Sequence, residues 1–379
     1  MVAAAYAKDL LSLVHPKNIE AEKIIGDVLS ALQEVAEDHR RGAQRQLEIQ
    51  ENAVKQKLSD KEEECLQSFR LTSATKDTTY EWYKDRVETR VEGTCEWFLS
   101  HDNFQKWSQG ESGLLLVSAD PGCGKSVLAK YLIDNRLPCS ATLCYFFFQD
   151  QDQNTVHQAL CAIFHQLFSQ RPNLIKHAME KYRKNGRGMT ESTNSLWAIL
   201  EDAVQDPQAG PVIIVLDTLD ECAESEFEDL IQGVERHVRN NHSDQSKLKY
   251  LLTSRPYEQI ECNFVGLLES FPFVRIPGKG ESESISREVS HFIQNRIEQL
   301  AKEKRLSDPV KSHLARRLLE VPHRTYLWVY LVFDHLSKEH FKKTAHGVDS
   351  TIQHLPTDVY ETYERILGKS KKNPEVRRA

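Results

Sequence analysis

An apolar run that ends in a glycine-rich turn and continues as a helix is the feature that most constrains this chain. Residues 114–126 read Leu-Leu-Leu-Val-Ser-Ala-Asp-Pro-Gly-Cys-Gly-Lys-Ser. Residues 114–117 indicate a buried strand, and residues 127–132 continue with apolar side chains at helical spacing. A strand, a glycine loop with Lys-Ser and a helix, in this order, form the phosphate-binding loop G-x-x-x-x-G-K-[ST]. An ordinary glycine-rich turn is the alternative, but it does not account for Lys-Ser in register with both flanking elements.

The loop predicts a nucleoside triphosphate as ligand. Glycines allow backbone N–H groups to turn inward toward the phosphates, where the start of the next helix adds its positive end. We expect Lys125 to reach the β- and γ-phosphates and Ser126 to hold Mg²⁺. Ala119 stands where the first glycine of the motif is usual. The predicted nucleotide-binding residues of the loop are Ala119, Asp120, Pro121, Gly122, Cys123, Gly124, Lys125, Ser126 and Val127.

A second apolar run, residues 212–216, ends in carboxylates. An Asp at the end of a strand beside a phosphate-binding loop is where Mg²⁺ is held, so Asp217 joins Ser126 as a predicted metal residue. Asp220 and Glu221 follow three and four positions later, where a carboxylate can orient or deprotonate an attacking water. The alternative is a helix start at which these acids serve only as caps.

The next apolar run closes with Leu-Leu-Thr-Ser-Arg-Pro at residues 251–256. Thr253 or Ser254 would sense the γ-phosphate, and Arg255 would bring positive charge to the same edge of the sheet. Ligands of open α/β sheets bind at the carboxyl ends of the strands, which is where these residues are expected to lie. A surface arginine is the alternative reading of Arg255.

Five apolar runs alternate with helical patterns and predict the fold class. Strands separated by helices indicate a parallel sheet with helices on both faces, which is the three-layer αβα arrangement of an α/β P-loop NTPase. An additional strand is expected between the phosphate-loop strand and the acidic strand, as in ATPases of the AAA type. The predicted strands are residues 114–117, 141–148, 211–216, 248–253 and 271–276.

Helical segments flank the predicted sheet on both sides. Residues 1–69 form a helical arm, residues 70–280 the nucleotide-binding α/β domain, and residues 281–350 a helical subdomain. The arm has a continuous apolar stripe only in its first half. A solvated spacer and a partner-binding surface are both open for the rest. We expect residues 1–64 to be dispensable for nucleotide binding and to contribute to self-association or effector contact.

Composition argues against several classes of protein. The net charge of −7 over 379 residues and the lack of a basic track disfavour a nucleic-acid partner. The start of the chain lacks a secretory pattern, and no run approaches the roughly 18 apolar residues that a membrane helix needs. The eight cysteines have no metal-binding spacing, which indicates reduced thiols. A cytoplasmic protein without a membrane span is expected.

Together, the phosphate loop, the Asp217-x-x-Asp220-Glu221 strand end and the Thr-Ser-Arg-Pro strand end resemble the NACHT class of signal-transduction NTPases. Within that class the chain is similar to fungal NOD-like receptors and heterokaryon-incompatibility proteins, with a nephrocystin-3-like N-terminal NACHT region. The resemblance extends over about residues 65–367. Further matching stretches are Tyr-Glu-Trp-Tyr at 80–83, Cys-Glu-Trp-Phe at 95–98, Tyr-Leu-Trp-Val-Tyr-Leu-Val-Phe at 326–333 and Tyr-Glu-Thr-Tyr-Glu-Arg-Ile-Leu at 360–367.

The resemblance implies roles for the acidic residues and for the chain ends. In this class a small residue follows the magnesium Asp, and the water-directing acid lies further along. That pattern favours Asp220, with Glu221 as the alternative, and Arg255 at the next strand end is the further predicted catalytic residue. Members switch between a closed diphosphate state and an open, oligomerising triphosphate state. Residues 351–379 would be the start of a truncated winged-helix region and a tail.

The expected function is therefore a regulatory switch. It would bind ATP or GTP with Mg²⁺, hydrolyse the nucleotide slowly and control self-association in innate-immunity or incompatibility-type signalling, together with an effector or sensor protein of unknown identity. A continuously working P-loop ATPase is the competing reading, although helicase-type motifs are lacking. A truncated nucleotide-binding remnant is the third reading.

Overall fold

A computed structural model describes residues 60–71, 78–240, 247–256, 272–276, 283–321, 324–338 and 342–352. All of these lie within one compact unit, Lys55–Ala379. The other unit, Met1–Val54, falls outside the described residues. Most of the predicted helical arm and residues 353–379 of the predicted winged-helix start and tail therefore also fall outside them.

Five parallel strands form a single sheet in the order β2-β3-β4-β1-β5. Strand β4 lies between β1 and β3, which confirms the expected additional strand between the phosphate loop and the acidic strand. Because the sheet is parallel and covered on both faces, β1, β3 and β4 are buried along nearly their whole length. The strands are β1 (Gly113–Ala119), β2 (Thr142–Phe147), β3 (Val212–Asp217), β4 (Leu248–Ser254) and β5 (Phe273–Ile276).

Helices occupy most of the remaining described chain. Short 3-10 helices at Pro172–Ile175, Gly186–Glu191 and Leu219–Glu221 join some of them, and a π-helical turn at Leu132–Arg136 extends α5. None of the helices in the described ranges is both long enough and apolar enough to cross a membrane. The α-helices are α1 (Asp60–Ser68), α2 (Tyr80–Arg86), α3 (Glu96–Leu99), α4 (Asp102–Gln109), α5 (Lys125–Tyr131), α6 (Val156–Gln170), α7 (Lys176–Asn185), α8 (Thr193–Gln205), α9 (Glu224–Asn240), α10 (Glu283–Lys304), α11 (Asp308–Leu319), α12 (Tyr326–Lys338) and α13 (Ala345–Ile352).

Alternate residues of the strands face two separate apolar layers, which confirms the three-layer α/β arrangement. Leu114 and Leu116 of β1 pack with helices α6, α8 and α9, whereas Leu115 and Val117 pack with α4 and α5. Helix α1 joins the first layer, because Phe69 at its end contacts the ring of Phe164 with centroids 5.0 Å apart. A third apolar cluster, centred on Trp328 and Leu314, lies within helices α10 to α13.

The bulky apolar side chains spaced along residues 80–99 predict one helix there, but the structure does not form it. Helix α2 ends at Arg86, and α3 begins only at Glu96. Gly93 and Cys95 have φ values of 78° and 67°, which a right-handed helix does not accommodate. The β-branched residues of the intervening stretch favour extended backbone. This stretch lies beside the phosphate loop.

Glutamine side chains occupy the free edge of β2. The amide of Gln170 accepts from the backbone N–H of Leu143 at 3.2 Å and donates to its carbonyl at 2.8 Å. Gln166 makes the same pair of bonds with Tyr145, at 3.0 and 2.8 Å. Four residues of a helix rise about 6 Å, close to the roughly 6.6 Å of two strand residues, so the two amides match two successive outward positions. Helix α6 thereby satisfies edge groups that would otherwise pair with another strand.

Replacing both glutamines by leucine (Gln166→Leu with Gln170→Leu) is expected to make the chain self-associate through β2. Leucine keeps apolar volume but leaves the edge N–H and C=O groups unpaired, which lowers the free energy of unfolding by roughly 1–3 kcal/mol per buried group. Light scattering without added nucleotide measures the association. Gln232→Leu on α9, where Gln232 is exposed and bonds Glu228, is the matched control. A double variant that keeps the mass and unfolding temperature of the unmodified chain would show that the edge needs no such cover.

Candidate functional site

The phosphate loop runs from the end of β1 to the start of α5. Gly122 and Gly124 have φ values of 79° and 82°, which explains the need for glycine at both positions. The ammonium of Lys125 turns back into the loop and donates to the carbonyls of Ala119 at 2.7 Å and Asp120 at 3.4 Å. Burial lowers the pKa of Lys125, and nearby Asp220 opposes that shift. Because carbonyls do not neutralise an ammonium, the loop holds a buried positive charge suited to an anion.

Asp217, at the end of β3, is fully buried behind the loop. Its carboxylate accepts hydrogen bonds from the hydroxyls of Thr253 at 2.6 Å and Thr218 at 3.0 Å. The hydroxyl of Ser126 also hydrogen-bonds to it. Burial raises the pKa of Asp217, so its ionised form lacks solvation that a cation would replace. The structure thus brings the two predicted metal residues, Ser126 and Asp217, together.

These two residues fit a magnesium site. Mg²⁺ prefers oxygen ligands and is usually held by one or two protein side chains together with water and phosphate oxygens. The hydroxyl of Ser126 and the carboxylate of Asp217, which are in contact, can supply those two side-chain ligands. In the part of the chain that the structure describes, there is no group of three or more His, Cys, Asp or Glu residues suited to a metal ion. A site that binds a metal through protein ligands alone is therefore not found there.

Thr218 connects the acidic strand end to β4, and sequence reasoning missed this contact. Its φ of 58° is unusual for a β-branched residue and stores roughly 1–3 kcal/mol of strain. Its N–H donates to the hydroxyl of Thr253 at 2.9 Å, and that hydroxyl in turn donates to Asp217. Predicted site residue Thr253 therefore orients the metal carboxylate and holds the strained turn. No sequence pattern marks a positive φ at a threonine.

Asp220 is bound to the end of β4. Its carboxylate accepts from the backbone N–H of Arg255 at 2.9 Å and from the hydroxyl of Ser254 at 3.4 Å. The guanidinium of Arg255 adds an ion pair at 2.9 Å, and the Asp220 side chain is only 1% exposed. The acid and the arginine that the sequence placed at the site thus meet as an ion pair in which the acid is buried and the arginine is partly exposed.

Glu221 is the more accessible of the two adjacent acids. It accepts from the backbone N–H of Asp150 at 3.1 Å, and its other oxygen lies 3.7 Å from a terminal nitrogen of Arg255. Burial raises the pKa of Glu221, and the neighbouring Asp220 charge adds to that shift. Glu221, rather than Asp220, lines the cavity in front of the loop. A carboxyl with a raised pKa facing a cavity is suited to proton transfer.

A cavity of about 500 Å³ opens in front of the loop. That volume is within the range of small-ligand pockets. Residues 86–97 form one wall of the cavity. Two contacts fix this stretch on α5: Lys130 donates to the carbonyl of Val87 at 2.6 Å, and the guanidinium of Arg90 stacks 3.8 Å from the ring centre of Tyr131. The cavity is lined by the predicted site residues Pro121, Gly122, Cys123, Gly124, Lys125, Ser126, Val127, Glu221 and Arg255. The other predicted site residues support it from behind, namely Ala119, Asp120, Asp217, Asp220 and Thr253.

The start of α12 forms the opposite wall and packs directly on the loop. The N–H of Leu327 donates to the carbonyl of Gly122 at 3.2 Å. A Cβ at Gly122 would lie 2.7 Å from that of Leu327, and one at Gly124 would lie 3.2 Å from the ring of Tyr326. The two glycines are thus required by this packing as well as by their φ values. Sequence reasoning noted residues 326–333 as a matching stretch but did not place them at the site.

The thiol of Cys123, inside the loop, is buried. Burial raises its pKa to about 11, and the Lys125 ammonium only partly opposes the shift. The thiol is therefore protonated at neutral pH and packs as a small apolar group. Among the described residues, the seven cysteines form no disulfide.

A parallel sheet of this strand order, with a phosphate loop at β1 and a buried acid at the end of β3, defines an α/β P-loop NTPase fold. Residues 93–255 match the family described as "Nephrocystin 3, N-terminal", and residues 285–355 match a domain of unknown function (DUF7069). The chain is also 30% identical over 320 residues to the vegetative incompatibility protein HET-E-1 of Podospora anserina. The chain carries a NACHT-like NTPase domain, as its sequence motifs predicted.

The similarity to HET-E-1 covers 81% of this chain but only 22% of that relative's length. Among solved structures, the chain is similar to the ORC2 protein of Aeropyrum pernix, at 12% identity and a TM-score of 0.43, over 73% of this chain and 71% of that one. It is also similar to Cdc6p of Pyrobaculum aerophilum, at 12% identity and a TM-score of 0.40, over 70% and 64%.

Proposed function

We propose that this chain is a nucleotide-controlled signalling switch that binds a nucleoside triphosphate with Mg²⁺ and hydrolyses it slowly. One observation carries the proposal: a buried ammonium, a hydroxyl–carboxylate pair and a carboxyl with a raised pKa surround one cavity at the carboxyl ends of β1 and β3. Lys125 supplies the charge for the β- and γ-phosphates. Ser126 and Asp217 would hold Mg²⁺, which neutralises phosphate charge when bound.

The hydrolytic roles divide between the two adjacent acids. Glu221 faces the cavity and orients or deprotonates the attacking water, while Asp220 holds Arg255 at the end of β4. The family pattern favours Asp220 as the water-directing acid. We assign that role to Glu221 instead, because Asp220 already accepts hydrogen bonds from Ser254 and Arg255. Slow turnover is consistent with an arginine that is ion-paired to two carboxylates, since those pairs must loosen before it can stabilise transferred charge.

The signalling part of the proposal rests on the relative's role. HET-E-1 is a vegetative incompatibility protein, and this chain is similar to 22% of it. We place the present chain in the same kind of signalling, with ATP or GTP controlling self-association in the cytoplasm and with a further effector or sensor protein. The domain limits follow the sequence: an arm to residue 69, the α/β domain to 280, the helical subdomain to 350 and a winged-helix start beyond.

Oligomer mass tests the switch directly. The full chain is measured by light scattering with a nucleoside diphosphate and with a non-hydrolysable triphosphate, both with Mg²⁺. A larger assembly only with the triphosphate supports the switch. Equal masses together with rapid steady turnover would favour a continuously working ATPase instead.

Asp217→Asn is expected to weaken binding of the triphosphate in the presence of Mg²⁺ by roughly tenfold to a hundredfold, because an amide lacks the charge that holds the metal. Binding measured in EDTA is expected to change little. Calorimetric titration with and without Mg²⁺ provides both values. Asp202→Asn, at an exposed acid on α8, is the matched control. An equal loss of triphosphate affinity with and without Mg²⁺ would show that Asp217 does not hold the metal.

A further inference from the structure

Glu288 of α10 lies between three segments that surround the cavity. It is only 9% exposed and lines the cavity wall. One carboxylate oxygen accepts from the backbone N–H of Cys95 at 2.7 Å and from the phenol of Tyr326 at 3.0 Å. The other oxygen accepts from the N–H of Glu96 at 3.1 Å. A single side chain thus joins the stretch before the phosphate loop to α10 and α12.

These bonds hold the turn at Cys95, where the cavity wall meets the start of α3. Cys95 has a φ of 67°, which is unfavourable for a residue with a side chain. The left-handed turn exposes the N–H groups of Cys95 and Glu96 at the start of α3, and the Glu288 carboxylate accepts from both. Charge-assisted bonds of this type are about twice as strong as neutral ones. Loss of the carboxylate would therefore loosen the part of the wall around Cys95, while Lys130 and Arg90 still hold the earlier part on α5.

The same carboxylate also reaches the phosphate loop through Tyr326. The phenol donates to Glu288, and the ring of Tyr326 lies against Gly124, where an added Cβ would be 3.2 Å away. Burial raises the pKa of Tyr326 well above its usual range, and Glu288 adds to the shift, so the phenol remains a donor at neutral pH. Leu327, the next residue, donates its N–H to Gly122. Glu288 therefore sets the position of the helix start that covers the loop.

We propose that Glu288 is a positioning residue that keeps the nucleotide cavity closed. Through Cys95 and Glu96 it holds one wall, and through Tyr326 it holds α12 on the phosphate loop. Removal of the carboxylate lets the two walls separate and speeds release of bound nucleotide. The inference rests on the proposed function, since it concerns exchange at the same site.

The test is the rate at which a fluorescent N-methylanthraniloyl nucleoside diphosphate leaves the full chain when it is chased with unlabelled diphosphate. Glu288→Ala is expected to raise the dissociation rate roughly tenfold or more, and Tyr326→Phe roughly threefold, because affinity changes at a formed site appear mainly in dissociation. The double variant is expected to match Glu288→Ala, because the phenol acts through the carboxylate. Glu298→Ala is the control, since Glu298 lies on α10 and pairs with Lys311 at the surface.

Thermal unfolding without nucleotide identifies variants that no longer fold. If Glu288→Ala does not fold, Tyr326→Phe, which removes one hydroxyl, must still speed release. If Glu288→Ala folds and releases the nucleotide at an unchanged rate, the proposed positioning role is overturned while the proposed function stays intact. The same conclusion follows from an unchanged rate for Tyr326→Phe when only that variant folds. Additive effects in the double variant would overturn it as well. A chain without substitutions that binds no labelled nucleotide would overturn both.

Discussion

Lys125→Ala is expected to remove binding of nucleoside triphosphate while the chain stays folded. The ammonium is the buried cation of the loop, and its loss should weaken binding by roughly a hundredfold or more, because bonds to charged groups contribute about 1.5–3 kcal/mol each. The fold should change little. The variant loses hydrogen bonds to the carbonyls of Ala119 and Asp120 but no longer buries a charge. Calorimetric titration with ATP or GTP and Mg²⁺ measures the affinity.

Lys184→Ala is the matched control for this variant. Lys184 is exposed on α7 and pairs with Glu180, so its loss should leave both affinity and stability unchanged. Thermal unfolding of both variants separates the two possible roles of Lys125. A folded Lys125→Ala chain that keeps the affinity of the unmodified chain would refute the phosphate-loop assignment. A chain that unfolds with no specific effect on nucleotide would show a structural lysine instead.

Glu221→Gln is expected to slow hydrolysis by roughly 10²–10⁴-fold with nearly unchanged nucleotide affinity, since only the general-base role is lost. Asp220→Asn should act differently. It leaves the Arg255 guanidinium without its 2.9 Å ion pair, so the arginine moves relative to the cavity and the affinity for triphosphate changes as well. Single-turnover hydrolysis and equilibrium binding, measured on the same preparations, distinguish the two effects.

Glu228→Gln provides the control, because Glu228 is on α9 and bonds only the exposed Gln232 among the contacts described for it. Its hydrolysis rate should equal that of the unmodified chain. If Asp217→Asn, Asp220→Asn and Glu221→Gln all reduce binding and hydrolysis in the same way, the division of roles among the three carboxylates is wrong. If Asp220→Asn alone slows hydrolysis, the family pattern identifies the water-directing acid correctly.

Features set by contiguous residues could be predicted from the sequence. The phosphate loop follows from one strand, two glycines and Lys125-Ser126, and the loop forms as expected between β1 and α5. The additional strand expected between the phosphate-loop strand and the acidic strand is also present, because β4 lies between β1 and β3. Apolar side chains over residues 156–168 have the spacing of a helix, and α6 begins at the same residue, Val156. In these elements, local propensity and burial favour the same structure.

Features that depend on distant residues could not be predicted. The helix expected over residues 80–99 is interrupted by a turn that Glu288 holds from 193 positions away. Tyr326 and Leu327 contact the loop glycines although the two segments lie far apart in the sequence. Asp220 and Glu221 are adjacent and equally charged, so sequence alone does not tell them apart. The 3-10 turn Leu219–Glu221 directs one toward Arg255 and the other toward the cavity.

Titration of the full, unsubstituted chain with ATP and with GTP, each with Mg²⁺ and with EDTA, tests the central claim most directly. We expect saturable binding of at least one triphosphate at one site per chain. That binding should weaken when EDTA removes the metal, because Ser126 and Asp217 can then no longer hold Mg²⁺ against the phosphates. A folded chain that binds neither triphosphate, or binds both equally with and without Mg²⁺, would contradict the account.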